Sequence, residues 1–276
     1  MKYWKEFNSY FADLVRTKKG YIDNTIYSFD IETTSYLILN NKQIPACRYL
    51  ELTKDEQENA IFQSTMYIWQ FSINSEVYYG RTWQEFKAFL IKLNFTNPHK
   101  KIIFIHNLSF EFEFLQSVFE LTNVFARKSR KVMKCDLEEF NIEFRCSYFL
   151  SNSKLENLPS LFNLSVEKQV GSLDYDKQRH SKTYLTKKEL KYCEYDCLVV
   201  YEYIKKELET YKRVDKIPLT STGHVRRELK CRINRDFAYK NYVKKAINTN
   251  PHIYNMLISA FSRTVMFIVI EFLQMK

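Results

Sequence analysis

Tyr27-Ser28-Phe29-Asp30-Ile31-Glu32-Thr33-Thr34 is the stretch that decides how this chain is read. Tyr27, Phe29 and Ile31 alternate with Ser28, Asp30 and Glu32, which is the period of a strand. Successive strand side chains point to opposite faces. Asp30 and Glu32 therefore share one face, and Phe29 and Ile31 share the other, toward a core. Two neighbouring carboxylates repel and raise each other's pKa. A divalent cation removes the conflict, because Mg²⁺ prefers oxygen ligands and takes few of them from protein. Taken alone, Asp-x-Glu reads better as a strand with a charged solvent face. Carboxylates further along the chain give the metal reading its weight.

The first of these follows Ile103-Phe104-Ile105-His106-Asn107-Leu108-Ser109-Phe110-Glu111. A short apolar strand delivers His106 and Asn107 to a strand-to-helix corner, with Glu111 on the first helical turn. Such corners lie at the mouth of an α/β sheet, where ligands bind. Helix capping by Asn107 or Ser109, with Glu111 favoured by the helix dipole, accounts for the same residues. The second is Tyr192-Cys193-Glu194-Tyr195-Asp196. Tyr192 and Asp196 are four apart and share a helical face. A phenol beside a carboxylate can orient an attacking water. Core packing of Tyr192 and Tyr195 with a solvated Asp196 is the competing explanation. Together the three segments supply four carboxylates and a tyrosine, in order, on a strand, a helix start and a later helix. Two metal ions roughly 3.5–4 Å apart can clamp the attacking and leaving oxygens of a phosphodiester displacement.

The whole chain suits this chemistry. Its 276 residues fit one domain with an appendage. A 45% hydrophobic content supports a sizeable core, and 4 Gly and 5 Pro argue against disorder. The net charge of +10 points to an anionic partner, and 16% aromatics add stacking surfaces suited to single-stranded nucleic acid. The six cysteines show no zinc-finger spacing and read as reduced thiols. Residues 1–20 lack the apolar run of a signal peptide, and the apolar piece Val265 to Ile270 is too short to span a bilayer.

The element order predicts a mixed α/β sandwich. Lys2 to Val15 has helical spacing, so residues 1–24 read as a helical extension. A strand follows at Thr25 to Thr33, then an irregular polar insertion from Ser35 to Asn59. Met66 to Ile73 and Glu76 to Tyr79 form a hairpin turning at Asn74 and Ser75. Thr82 caps a helix from Trp83 to Leu93, with Glu85 at its third position. Lys101 to His106 is a strand and Phe110 to Phe119 a helix. Phe125 to Tyr148 reads as a two-stranded ribbon with a basic tip at Arg127 to Lys131. Ser153 to Phe162 is a weak helix, and Thr186 caps the longest one, which ends at Tyr211. Past Pro218 the chain turns basic and helical. The domains are therefore 1–24, 25–216 and 217–276.

Asp30-x-Glu32, Asn107-x-x-Phe110-Glu111 and Tyr192-x-x-x-Asp196 resemble the three motifs of the DEDDy 3′–5′ exonucleases. Phe29-Asp30-Ile31-Glu32-Thr33-Thr34 and His106-Asn107-Leu108-x-Phe110 resemble more narrowly the proofreading domain of protein-primed family B DNA polymerases. That group occurs in phages, linear plasmids and some organelles. The likeness runs from Tyr27 to Leu208, with Leu173-Asp174-Tyr175 at the expected distance before Tyr192.

The resemblance implies a ribonuclease H-like α/β exonuclease domain followed by a helical basic tail. It implies two divalent ions, Mg²⁺ or Mn²⁺. Asp30, Glu32 and Asp196 would hold one, and Asp30 with Glu111 the second. Tyr192 would orient the attacking water. Thr33, His106, Asn107 and Phe110 would grip the 3′ end of single-stranded DNA. Ser147 falls where the family has a strand-binding serine, although Tyr148 replaces the usual leucine. Position 111 is Glu where Asp is usual. Val170 replaces a lysine of the family, and Lys168 is the nearby substitute. A cytoplasmic setting in the host, or an organelle for the organellar type, goes with the same resemblance.

Family B polymerases continue into a palm with Asp-x-x-Ser-Leu-Tyr-Pro and Tyr-x-Asp-Thr-Asp motifs, and neither is in this sequence. Ile217 to Arg227 resembles the linker toward that palm. The chain thus reads as a truncated or frameshifted polymerase that does not polymerise by itself. A separately encoded palm and a terminal protein primer are the implied partners. A free-standing nuclease for RNA or short DNA, and an idle DNA-binding remnant, are the rival readings.

Overall fold

The computed structural model describes residues 1–18, 20–166, 174, 177–235 and 241. The strands are β1 (Lys2–Tyr3), β2 (Leu14–Thr17), β3 (Gly20–Asp23), β4 (Tyr27–Leu39), β5 (Lys42–Pro45), β6 (Ile61–Ile73), β7 (Glu76–Gly80), β8 (Lys101–Ile105), β9 (Thr122–Ala126), β10 (Val132–Leu137) and β11 (Ile142–Cys146). The helices are α1 (Lys54–Asn59), α2 (Trp83–Thr96), α3 (Leu108–Leu115), α4 (Ser147–Ser151), α5 (Leu158–Phe162), α6 (Lys187–Tyr211) and α7 (Ser221–Arg235). Met1–Leu219 forms one compact unit, and Thr220–Lys276, described through α7, forms another.

Among the described residues, one mixed sheet runs β1-β7-β6-β4-β8-β11-β10-β9, with β5 paired to the far end of β4. β4 pairs antiparallel with β6 and parallel with β8. A central strand is covered on both faces, and most of β4 is buried on each side. On one face Phe29 and Ile31 pack with Phe86, Phe89 and Leu90 of α2 and with Leu108 and Leu115 of α3. On the other, Val199, Val200, Tyr203 and Ile204 of α6 pack with Ile102 and Phe104 of β8. This is the mixed α/β architecture with flanking helices that the element order predicts. Among the described residues no helix is long and apolar enough to cross a membrane.

The two strongest helix starts are where the sequence places them. Thr82 caps α2 through the Glu85 N–H at 3.2 Å, and Thr186 caps α6 through the Glu189 N–H at 3.2 Å.

Three expectations are corrected. The described residues among 1–24 form three short strands and one 3-10 turn, Trp4–Glu6, rather than a helical extension. β1 pairs in parallel with β7, and Phe7 is fully buried against Tyr78 and Phe89. Strand pairing and burial override the local helical spacing. The Ser35 to Asn59 segment is not irregular: β4 runs on to Leu39 and turns back as β5. Asn40 and Asn41 both have positive φ, 49° and 61°, as a tight hairpin turn demands. The two-stranded ribbon is a three-stranded meander, because a second turn at Asn141 (φ 54°) lets β11 join β8 in parallel.

The Arg179–Glu189 pair ties the segment before α6 to the helix start. The Arg179 Nη2 and Nε donate to Glu189 Oε1 at 2.6 and 3.0 Å, and the Thr186 N–H donates to Oε2 at 2.7 Å. Burial raises the Glu189 carboxyl, but the Thr186 N–H and the Arg179 guanidinium outweigh it and hold it at about 2. The folded value lies below the usual 4.5, so this contribution is whole above that pH and is lost as pH falls through about 2. Glu189→Gln leaves Arg179 uncompensated and is expected to lower Tm at pH 7 by roughly 5–10 °C. Melting curves for both proteins down to pH 2 check this: the gap should close with acid, and a constant gap would contradict it.

Candidate metal centre

The face of β4 that carries Asp30 and Glu32 meets α6, not solvent. Ser28 Oγ donates to the Cys197 carbonyl at 2.9 Å, which ties the two elements together one pleat before Asp30. Cys193 and Cys197 are buried on that side of α6. Burial pushes both thiols well up, so they stay protonated beside the carboxylates. Asp196 is on the same helix. Asp30, Glu32 and Asp196 each offer an oxygen, and these oxygens lie within 4.8 Å of one another. Glu32 is 9% and Asp196 4% exposed, so the solvated-face alternatives for both fail.

A β-bulge falls between Glu32 and Thr33. Glu32 pairs with Ile68, but Thr33 pairs with Met66, so Tyr67 is the extra residue of β6. Bulges bend a strand and re-aim its side chains. The Tyr67 carbonyl accepts from Arg81 Nε at 2.7 Å.

Glu111 reaches the group from α3. Asn107 starts that helix in the left-handed region (φ 67°, ψ 48°), which Asn tolerates better than other non-glycine residues, and its side chain makes no capping bond. Glu111 is buried and hydrogen-bonds to Asp30. Burial, and then the Asp30 charge, push its carboxyl well above the usual carboxylate range. Its Oε2 has no hydrogen-bond partner among the described residues. A divalent cation fits this set: the donors are hard oxygens, all but the half-buried Asp30 are buried, and Glu111 Oε2 lacks a partner among the described residues.

One contributor escaped the sequence reading. Gln70 stands opposite Asp30 on β6, is fully buried, and donates from Nε2 to Asp30 Oδ2 at 2.5 Å. The available signal was a lone amide inside the apolar run Tyr67 to Phe71. Its partner could be known only from the strand register.

The remaining candidates fall in three places. Thr33 and Phe110 line a pocket of about 290 Å³ together with Glu32. His106 Nδ1 lies 3.0 Å from Ser147 Oγ, and Ser147 is fully buried. Tyr192 is buried among Tyr67, Ile68, Leu185 and Cys193, one turn from Asp196. Lys168, Val170, Leu173 and Tyr175 lie outside the described residues.

Fold and site together define a mixed α/β domain with an acidic cluster where its central strand meets α6 and α3. Among solved structures, Phi29 DNA polymerase in complex with primer-template DNA and incoming nucleotide matches with a TM-score of 0.50 and 16% identity, over 68% of this chain and 31% of that one. The same polymerase with single-stranded DNA matches with a TM-score of 0.47 and 18% identity, over 67% and 32%. The chain spans about a third of that polymerase and shares the fold of that part. No protein-family model and no curated protein sequence matches it.

Gln70→Leu keeps the volume nearly constant and removes the bond that holds Asp30. Loss of such a support costs about 10–100-fold in metal affinity or activity. Titrating Mn²⁺ into wild type and variant checks this, and equal affinities would remove Gln70 from the site.

Proposed function

We propose that this chain is a metal-dependent 3′–5′ exonuclease acting on single-stranded DNA ends, the proofreading portion of a protein-primed family B DNA polymerase. The observation that carries the reading is the convergence of Asp30, Glu32 and Asp196, with Glu111 bonded to Asp30. The shared fold supports it, since the matched Phi29 polymerase was captured with primer-template DNA.

In this reading Asp30, Glu32 and Asp196 hold one divalent ion, Mg²⁺ or Mn²⁺, and Asp30 with Glu111 the other. Bound there, the two ions would supply charge stabilisation to the attacking and leaving oxygens of the displacement. Tyr192 orients the attacking water. Thr33, Asn107, Phe110 and His106 hold the 3′ end. The Val132 N–H donates to Ser109 Oγ at 2.9 Å, which sets the start of β10, just after the basic tip Arg127 to Lys131, against the turn that carries Phe110. That tip tracks the phosphate backbone. The polymerase palm and the terminal protein primer are separate partners in this reading.

The test is a 5′-labelled oligonucleotide, single-stranded, 3′-mismatched or blunt duplex, with and without Mg²⁺. A paired end must unstack before it reaches the carboxylates, at a few kcal/mol. Single and mismatched ends should be shortened faster than blunt ones, and rates should fall steeply with salt. Equal rates on all three would sink the proofreading assignment, and an RNA strand cut faster than DNA would favour the free-standing nuclease. Asp30→Ala and Glu111→Gln should each lose on the order of a hundredfold or more in rate, while Glu111→Asp retains substantial activity. An unchanged rate in Glu111→Gln would return that residue to a structural role.

A further inference from the structure

The hairpin arm that follows β4 has no part in the chemistry above, yet it borders the site. β5 returns along β4 with Pro45 opposite Tyr36. The chain then turns through a 3-10 segment, Ala46–Glu51. Gln57 Nε2 donates to the Tyr49 and Leu52 carbonyls at 3.0 and 3.1 Å, and the Tyr49 and Phe62 rings sit 5.0 Å apart. The arm is therefore a built element. It puts Pro45, Ala46 and Cys47 into the lining of the 290 Å³ pocket whose other residues include Glu32, Thr33 and Phe110.

The lining has a definite chemistry. Phe110 is 42% exposed and offers a ring face for stacking. Thr33 and Ser35 offer hydroxyls. Glu32 belongs to the carboxylate cluster and also lines the pocket, so the two are neighbours. None of the lining residues is Lys or Arg, so the lining offers a phosphate no charged donor. The volume is at the small end of ligand sites. A base with its sugar fills such a space, and a base pair with both sugars does not.

We infer that the arm forms the second wall of a slot that admits one unpaired 3′-terminal nucleoside, with Pro45, Ala46 and Cys47 facing Phe110 across the base. This rests on the exonuclease reading and adds the element that selects unpaired ends. The terminal base enters between the arm and Phe110, and its phosphate stays on the carboxylate side.

Cys47 reports on the slot directly. Cys47 and Cys231 are exposed thiols, and Cys135, Cys146, Cys193 and Cys197 are buried. In a Cys231→Ser protein, N-ethylmaleimide should react at Cys47. The reaction is timed in EDTA with a single-stranded oligonucleotide, the same strand with an abasic 3′ terminus, and a blunt duplex, while fluorescence anisotropy follows binding. The intact single strand should slow alkylation about tenfold, and the abasic strand and the duplex should not. Cys47→Trp, which fills the slot, should raise KM for single strands about tenfold, more than it lowers kcat. Full-rate alkylation of Cys47 with the single strand bound overturns the slot, and so does an unaltered KM in Cys47→Trp. If the strand is still cut with Mg²⁺ in those cases, the exonuclease reading survives; a strand neither bound nor cut overturns both.

Discussion

The structure depends on a repulsion. Asp30, Glu32 and Asp196 bring their oxygens within 4.8 Å of one another, and Glu111 closes on Asp30 from another helix. Two like charges ~4 Å apart cost ~4 kcal/mol at an effective dielectric of about 20. Without a cation, burial and the Asp30 charge push the Glu111 carboxyl up toward its neutral form, and the Gln70 amide donates a hydrogen bond to Asp30. A divalent ion would relieve the repulsion far more completely. Binding of such an ion would therefore couple to the stability of the fold.

The rest of the fold holds the carboxylates against that repulsion. β4 is central, so Asp30 and Glu32 stand on a strand paired along both edges. Ser28 and the Arg179–Glu189 pair secure α6, which carries Asp196. Arg179 also reaches β4, through its N–H to Thr34 Oγ at 3.0 Å. At the start of β4, the Tyr27 hydroxyl bonds to Asp23, and Asn97 donates to the same carboxylate at 2.6 Å. A buried polar network of this kind pins one arrangement, because an unmatched partner is costly there.

Much of this was legible in the sequence where a local pattern and the final structure agree. Alternation named β4, capping boxes named α2 and α6, and three spaced acidic motifs named the cluster. What escaped is non-local. The N-terminal helical spacing of Lys2 to Val15 lost to pairing with β7 and the burial of Phe7. The arm after Ser35 looked irregular because its signal is two adjacent asparagines at a turn, not glycine. Gln70 and the bulge at Tyr67 exist only through the β4–β6 register. The pocket joins Thr33 to Cys47 and Phe110, residues that no single periodicity links.

The central claim is that the cluster is a divalent-cation site held under electrostatic strain. Thermal melting of metal-free protein with increasing Mn²⁺ tests it most directly, comparing wild type with Asp30→Asn. Wild type should gain Tm with Mn²⁺, as a ligand that binds only the folded state requires. Asp30→Asn should melt higher than wild type without metal, because one charge is gone, and should gain little from Mn²⁺. Two proteins that melt together without metal, and that Mn²⁺ leaves unmoved, would contradict the account.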